Sequence, residues 1–568
     1  MPTPRRDRLT RLAWESLGVV IAVAAALVAL AHTLSGAKRS LLLTDGDSVL
    51  LPLMLRAIER GEPFEWGMSP VLFVFPEFPL YAASAWLTST VSAALLLNGV
   101  VNVVALYALL RVVVGRVLIL RSTATPVPER RNAHPARPVV AALVGVVVVV
   151  GLILLETRAG GNTGEIVSLY LTTTYYSGTV MVLLATLALV LHLVGPTDGR
   201  GRRILLPALA TGLLAAVSTL SNPLYALWVT GPLVASLAVL AVLRRGEGLR
   251  DPWWRPAATA LALVAGSGAG YLARLPLASF MIADKTLYFR WGQQYASLAF
   301  DFETVRALQA TPAGAVESVA AGLLLIGAVV AGVFVVVRRR TGPAALAALF
   351  AGSTVILVPA VLILVGSIST RYALPLLFAP LALLVVGVAV APLRPAPALL
   401  GRGTIIASSA TIALLVVVGL AGPATASVAR AAASSGDPAA SCLSDWARGK
   451  NVTGVAQFWT GRGLQAYGSR DVRLLQVTVG FSTYPWLVNL APYKGARVGY
   501  VVVAHGKSPS GHTERWGDDV LNLGAPRDIV DCGTYDIYDF RGLPAAAEIT
   551  REVDRSAAAQ AAKRGFGW

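Results

Sequence analysis

The sequence predicts a mainly α, polytopic helical membrane protein of about eleven crossings with a C-terminal extracytoplasmic α/β domain. Three observations lead there. The 568-residue chain is 55% hydrophobic and only 14% charged, which leaves too few polar residues to coat a soluble globule of this size. Apolar runs long enough to cross a bilayer recur from Leu17 to Leu420. After residue 440 the pattern changes to short alternating and β-branched runs.

The charge has a positional meaning. The formal net charge is +17, but the arginines gather between apolar runs, so the balance points to membrane orientation and not to nucleic acid. Arg5, Arg6, Arg8 and Arg11 precede the first span. Further clusters are Arg111–Arg137, Arg200–Arg203, Arg244–Arg255, Arg338–Arg340, and Arg394 with Arg402. If every cluster faces the cytoplasm, the spans fall near 14–34, 79–110, 138–156, 174–194, 204–220, 224–243, 257–274, 313–337, 344–366, 372–392 and 404–422. The N-terminus is then cytoplasmic, in a plasma (inner) membrane, and the first span is an uncleaved anchor despite its Ala29-Leu30-Ala31. Pro76 and Pro79 interrupt the start of the second span, so residues 71–111 read as one long or bent crossing, not two.

Four outer segments follow. In the first, residues 35–78, Ser48–Arg60 is expected to form an interfacial helix. Pro52 falls in its first turn, and Gly61 and Pro63 stop it. Leu50, Leu51, Met54, Leu55 and Ile58 form its apolar side, with Phe64 and Trp66 at headgroup level. This arrangement holds Asp45 and Asp47 near the hydrocarbon edge. A plain reading makes Asp47 or Ser48 the helix cap and leaves Asp45 solvated. A functional one makes either aspartate a proton acceptor, or both the ligands of a divalent cation such as Mg or Mn near a phosphate. The second segment, from Glu156, holds Glu165, Tyr175 and Tyr176. The third, 275–312, holds Lys285, Tyr288, Arg290 and Trp291. The fourth, from Gly366, holds Arg371 and Tyr372.

Residues 423–440 read as a linker or a helix leaving the membrane. Beyond it, "VRLLQVTV", "ARVGYVVVAHG" and "YDIYDF" read as strands, and "CLSDWARG" and "GRGLQAYG" as short helices, giving a domain over 441–541 and an Ala-rich tail over 542–568. Cys442 and Cys532 are the two cysteines of the chain. An extracytoplasmic location favours a disulfide between them. No Cys/His metal cluster, phosphate-binding Gly-rich loop or nucleophile elbow is present in the sequence, so nucleotide-driven pumping is not expected.

"TDGDSVLLPLMLRAIERGEPFEW", the following "FPEFPLY", and "STRYALPLLFAPLALL" at Ser369–Leu384 resemble elements of the GT-C superfamily of integral-membrane glycosyltransferases, whose donors are polyprenyl-phosphate sugars. The resemblance covers the layout of nearly the whole chain and implies a hexosyl- or pentosyltransferase with an inverting mechanism. Asp45 or Asp47 would act as base, or the two would share a metal. Arg371, Tyr372, Lys285 and Arg290 would hold the donor phosphate and sugar, and Glu165 with Tyr175 would orient the acceptor, or Glu165 would join a metal site. That acceptor would be an envelope glycan, a lipid or a protein. Each residue has a plainer role: Arg371 snorkelling to headgroups, Lys285 and Arg290 pairing with Asp284 or Asp301, Glu165 as a loop acid, Tyr175 in an interfacial belt. The other function classes are a lipid or sugar transporter or flippase, and a non-enzymatic envelope scaffold. A transporter should carry ionisable groups deep within its spans, whereas here the polar residues gather at the outer ends.

Overall fold

The computed structural model describes residues 4–124, 135–195, 202–246, 254–282, 290–391, 419, 421–434, 438–506, 514, 516, 519–520 and 522–568. Among them, eight helices are long and apolar enough to cross a membrane: Arg8–Ser35, Val91–Leu120, Ala136–Leu155, Ser177–Val194, Ala226–Arg245, Pro312–Val337, Pro343–Leu364 and Thr370–Val390. The chain is a multi-pass helical membrane protein. These spans belong to helices α1 (Pro4–Ser35), α5 (Val91–Ala124), α6 (Ala136–Leu155), α7 (Ser177–Val194), α9 (Gly231–Gly246), α12 (Pro312–Val337), α13 (Pro343–Leu364) and α14 (Pro375–Val390). Two more helices, α8 (Arg202–Ser221) and α10 (Trp254–Leu272), coincide with the fifth and seventh expected spans. They pack closely because Gly266 and Gly270 bring α10 onto the backbone of Gly212 and Ala216. The expected span at 404–422 lies almost wholly outside the described residues.

Residues 71–111 make one crossing, but it starts later than the hydropathy indicates. A short helix α4 (Glu77–Trp86) comes first, and α5 begins only at Val91. The polar run Thr88-Ser89-Thr90 causes the break. The Thr88 hydroxyl closes onto the Ser84 carbonyl at the end of α4 (2.9 Å), and Thr90 accepts the Ala93 amide at the start of α5 (3.0 Å).

The connections sort onto two faces. On one, arginines tie span ends together: Arg111 bonds Glu15, Arg244 the Val194 carbonyl, Arg255 the Gly195 carbonyl and Arg137 the Ala391 carbonyl. On the other, the four segments expected to share a side meet. Leu72 N–H donates to the Ser221 carbonyl, Arg274 to the carbonyls of Pro70 and Leu220, Asn162 Nδ2 to the Ile368 carbonyl, and Lys38 pairs with Glu156. In the first of these segments lie α2 (Arg39–Leu43) and α3 (Leu50–Glu59), and in the third α11 (Gln294–Leu308).

A helix over 421–433 (α15) returns to this second face, where Thr90 Oγ1 donates to the Ala432 carbonyl. The C-terminal region follows as an α/β domain. Its five-stranded sheet has the order β3-β2-β5-β7-β6, from β2 (Thr453–Ala456), β3 (Leu474–Gln476), β5 (Val498–Ala504), β6 (Asp528–Asp531) and β7 (Tyr535–Asp539). β2 runs parallel to β3 and β5, and the β5–β7 and β7–β6 pairs are antiparallel. α16 (Pro438–Ala447) and α17 (Phe458–Tyr467) flank it, and Cys442 in α16 is disulfide-bonded to Cys532 beside β6. The tail is a helix, α18 (Pro544–Arg564), that buries Ile549, Val553 and Ala557 against Val455, Val501 and Phe540. A two-stranded pair, β1 (Trp66–Gly67) with β4 (Val488–Asn489), fastens the domain to the first segment.

Candidate functional site

The Asp45-Gly46-Asp47 turn is made by its own side chain. The Asp45 carboxylate accepts the Asp47 amide (3.0 Å), while the carbonyls of Asp45 and Asp47 accept the amides of Val49 and Leu50 (3.1 and 3.2 Å). α3 begins behind it with Val49 as its N-cap residue and no side-chain cap. The capping role open to Asp47 or Ser48 is therefore not used. Instead, Ser48 Oγ donates to the Leu41 carbonyl (2.5 Å), and the Asp47 carboxylate is free to turn outward.

Two other parts of the chain hold this turn. The segment before α7 donates three hydroxyls: Thr173 to the Ser48 carbonyl (3.0 Å), Thr174 to the Asp47 carbonyl (2.9 Å), and Tyr175 to Asp45 Oδ1 (3.0 Å). The Tyr175 oxygen is also 3.5 Å from Asp47 Oδ2. From the C-terminal domain, Arg462 on α17 donates through Nε to the Gly46 carbonyl (2.7 Å) and through Nη1 to the Leu487 carbonyl. Tyr467, at the end of the same helix, donates to the Leu43 carbonyl (2.8 Å). The Phe458 ring lies over the Arg462 guanidinium and against Gly46.

Arg371 completes the constellation. Its Nη1 is 3.3 Å from Asp47 Oδ2, and its guanidinium lies over the rings of Tyr175 and Tyr372, 5.6 and 5.9 Å from their centroids. Behind it, Tyr176 bridges Tyr372, Trp228 and Phe73. Arg371 and Asp47 are the open members, with side chains 30% and 17% exposed, whereas Asp45 is 2% exposed.

Burial, and then the neighbouring Asp47 charge, push the Asp45 carboxyl up to about 7, against the hydrogen bonds from Tyr175 and the turn amides. Burial and the Asp45 charge hold the Tyr175 phenol well above its usual range, so it stays a donor. Burial brings the Arg462 guanidinium down to about 10, still cationic at neutral pH. The turn thus presents one buried carboxyl that titrates near neutrality and one open carboxylate beside a cation.

Of the residues singled out in the sequence, Asp45, Asp47, Tyr175, Arg371 and Tyr372 come together. Glu165 stands apart. It is buried, accepts the amides of Thr157 and Arg158 (2.8 and 2.7 Å), and lies 3.8 Å from Lys38 Nζ, which also bonds Glu156 at 2.7 Å. Glu165 therefore fixes the second segment to the end of α1 and does not face the aspartates. Arg290 anchors the chain before α11, its amide donating to the Val365 carbonyl (2.8 Å). Lys285 lies outside the described residues. Thr173, Thr174, Arg462 and Phe458 were not legible as site residues, because nothing local in "TTTYY" or "FWTGRG" says which turn they will grip.

The residues that would hold a divalent ion such as Mg or Mn at this turn are Asp45 and Asp47, and such an ion would supply positive charge there. The only group of three His, Cys, Asp or Glu side chains with ligand atoms within 4.8 Å of one another, among the described residues, is His505, Asp531 and Asp536, in the C-terminal domain.

Gly46 is required by close approach. A Cβ there would sit 2.5 Å from Phe458 Cε1 and 3.0 Å from Cδ1. Gly46→Ala is expected to push α17 off the turn at a cost of about 1–3 kcal/mol, read as a lower melting temperature of the purified chain.

No family model and no curated protein matches this sequence. Among solved structures, the chain is similar to that of ArnT from Cupriavidus metallidurans bound to undecaprenyl phosphate, with 13% identity over 94% of this chain and 99% of that chain and a TM-score of 0.47. It is similar to the apo state of the same protein with 13% identity, 93% and 98% coverage and a TM-score of 0.47.

Proposed function

We propose that this chain is an extracytoplasmic membrane glycosyltransferase that moves a sugar from a polyprenyl-phosphate donor to a hydroxyl of an envelope glycan, lipid or protein. The observation that carries the reading is the Asp45–Tyr175–Asp47–Arg371 cluster. It sits at one end of the span bundle, opposite the basic face that orientation rules assign to the cytoplasm.

The chemistry follows from the charges. Arg371, held by two aromatic rings and one carboxylate, faces the donor's phosphodiester and stabilises the negative charge that grows there. Asp47, the open carboxylate, accepts the proton of the acceptor hydroxyl. The acceptor oxygen attacks the anomeric carbon from the face opposite the phosphate. The bond from that carbon to the phosphate oxygen breaks with its electron pair, and polyprenyl phosphate leaves with the sugar's configuration inverted. Asp45 lies behind Asp47, and its burial beside the Asp47 charge delays its own ionisation to about 7, so the turn gains its second negative charge only there.

The test is a panel of polyprenyl-phosphate sugars offered to the purified chain in lipid nanodiscs, with release of polyprenyl phosphate as the readout. Time-dependent release is expected, with kcat/KM climbing with pH through a midpoint of about 7 and then levelling, since Asp45 is ionised only above that titration. Full turnover in the Asp45→Asn/Asp47→Asn double variant would overturn the reading.

A further inference from the structure

Helix α11 carries an apolar stripe that the rest of the protein does not cover. Tyr295, Leu298, Phe302 and Val305 on the helix are all exposed, Tyr295 to 84%, as is Trp291 in the turn just before it. The four on the helix follow one another at intervals of three and four, so they share one side of it. About a third of a turn away lies the packed side, with Ser297 and Leu308 buried. There Ser297 Oγ donates to the Ser367 carbonyl (2.5 Å), Gln294 Nε2 to the Leu364 carbonyl (3.2 Å), and the Ala307 carbonyl accepts from Arg158. The remaining side presents Ala296, Glu303 and Ala307, all exposed, and the exposed charges of Asp301 and Arg306 border the stripe on either side. A soluble helix needs two kinds of side, one for the core and one for water. This one has three.

The ends of α11 define its direction. Its first turn touches Leu364–Ser367, where α13 ends, and its last turn touches Arg158, near the end of α6, and leads within four residues to Pro312, where α12 begins. All three are span ends on the face that holds the aspartates. A helix of fifteen residues is about 22 Å long, so one with both ends at this level runs along the membrane edge and not across it. The stripe also continues into α12, whose Val316, Val319, Leu323, Ile326 and Val330 are exposed at the same spacing. Only 17% of the apolar window of that span is buried within the protein, so this side of α12 faces lipid.

We propose that α11 is seated in the leaflet on the side of the aspartates, its stripe among the lipid chains and Glu303 in water. Tyr295 at the start of the stripe, and Trp291 in the turn before it, suit the headgroup boundary. Because the same helix is bonded to the turn that leads into Arg371, the leaflet and the guanidinium are joined by one short path: Ser297 to Ser367, then four residues to Arg371. The seating depends on burial and contacts alone, and not on whether the chain is a transferase.

Both cysteines of the chain are consumed by the disulfide, so Tyr295→Cys, Phe302→Cys and Glu303→Cys each accept a single nitroxide label. The full chain would be reconstituted in phosphatidylcholine–phosphatidylglycerol vesicles and its labels relaxed by dioxygen, which concentrates in lipid, and by a water-soluble nickel chelate. Labels at 295 and 302 are expected to respond more to dioxygen than to the chelate, and the label at 303 the reverse. Chelate-dominated relaxation at 295 and 302 would overturn the proposal. So would dipolar broadening at those positions that disappears on dilution with unlabelled chain, because the stripe would then be covered by a second copy.

Discussion

Asp47→Asn is expected to lose about 10³-fold in kcat, within the range that removing a positioned proton acceptor costs, while donor affinity holds or rises. The substitution is nearly isosteric. The turn keeps its Asp45 carboxylate-to-amide bond and the Thr174 bond to the residue-47 carbonyl, both of which use backbone atoms of that residue. What it removes is the open carboxylate beside Arg371. Donor affinity does not fall, because the phosphate loses a like-charged neighbour and the two rings still carry the guanidinium. Asp45→Asn behaves differently. Its side chain is buried, so the loss of turnover is smaller, and the rise of kcat/KM with pH disappears. Its stability moves the opposite way. The native carboxyl titrates near about 7, against 3.8 for an ordinary aspartate. The folded chain therefore binds a proton that the unfolded chain releases, and the stability this lends is lost as pH rises from the lower value through the upper one. Asp45→Asn is thus expected to melt above the parent at pH 8. Thermal melts of both variants beside their kinetics separate catalysis from folding. Near-parent turnover in Asp47→Asn, with the loss in Asp45→Asn, would exchange their roles.

The sequence made the membrane class and most spans legible because one-dimensional hydropathy is itself the physical cause of a crossing. It misplaced the start of α5, where three short hydroxyl residues outweigh the apolar run around them. The aspartates were legible for a similar reason: a tight Asp-Gly-Asp turn after a span is a local event. Arg371 was legible from its position at the head of a span. The partners of the turn were not. Arg462 reaches Gly46 across more than four hundred residues of sequence, and Thr173 and Thr174 act through hydroxyls whose neighbours only the packed bundle supplies. Glu165 shows the converse. An acid in the right segment looked suited to a substrate, but Lys38 and two backbone amides already satisfy it. A sequence gives the charge of a side chain; the fold decides whether that charge is already neutralised.

Arg371→Gln is expected to lower kcat by about 10²–10³-fold, the scale of deleting one charge-stabilising donor from an active site, with Arg371→Lys recovering only a small part. The guanidinium spends one nitrogen on Asp47 and lies against two rings, while its Nε is buried without a hydrogen-bond partner. The side chain is still 30% exposed, and that open edge is where a phosphate oxygen would arrive. Lysine restores the charge as a compact, strongly hydrated point. It does not restore the planar fork or the fit between the rings of Tyr175 and Tyr372. A loss of rate alone would be compatible with a merely structural arginine, so the decisive readout is the pH profile. Removing the cation from this turn makes the ionised form of the buried Asp45 harder to reach. The acid limb of kcat/KM should therefore move to higher pH in Arg371→Gln and stay near the parent's position in Arg371→Lys. A uniform drop in both variants with an unmoved limb would mean that the guanidinium holds the fold and not the charge of the site, and the base would then have to be poised by Tyr175 and the buried turn alone.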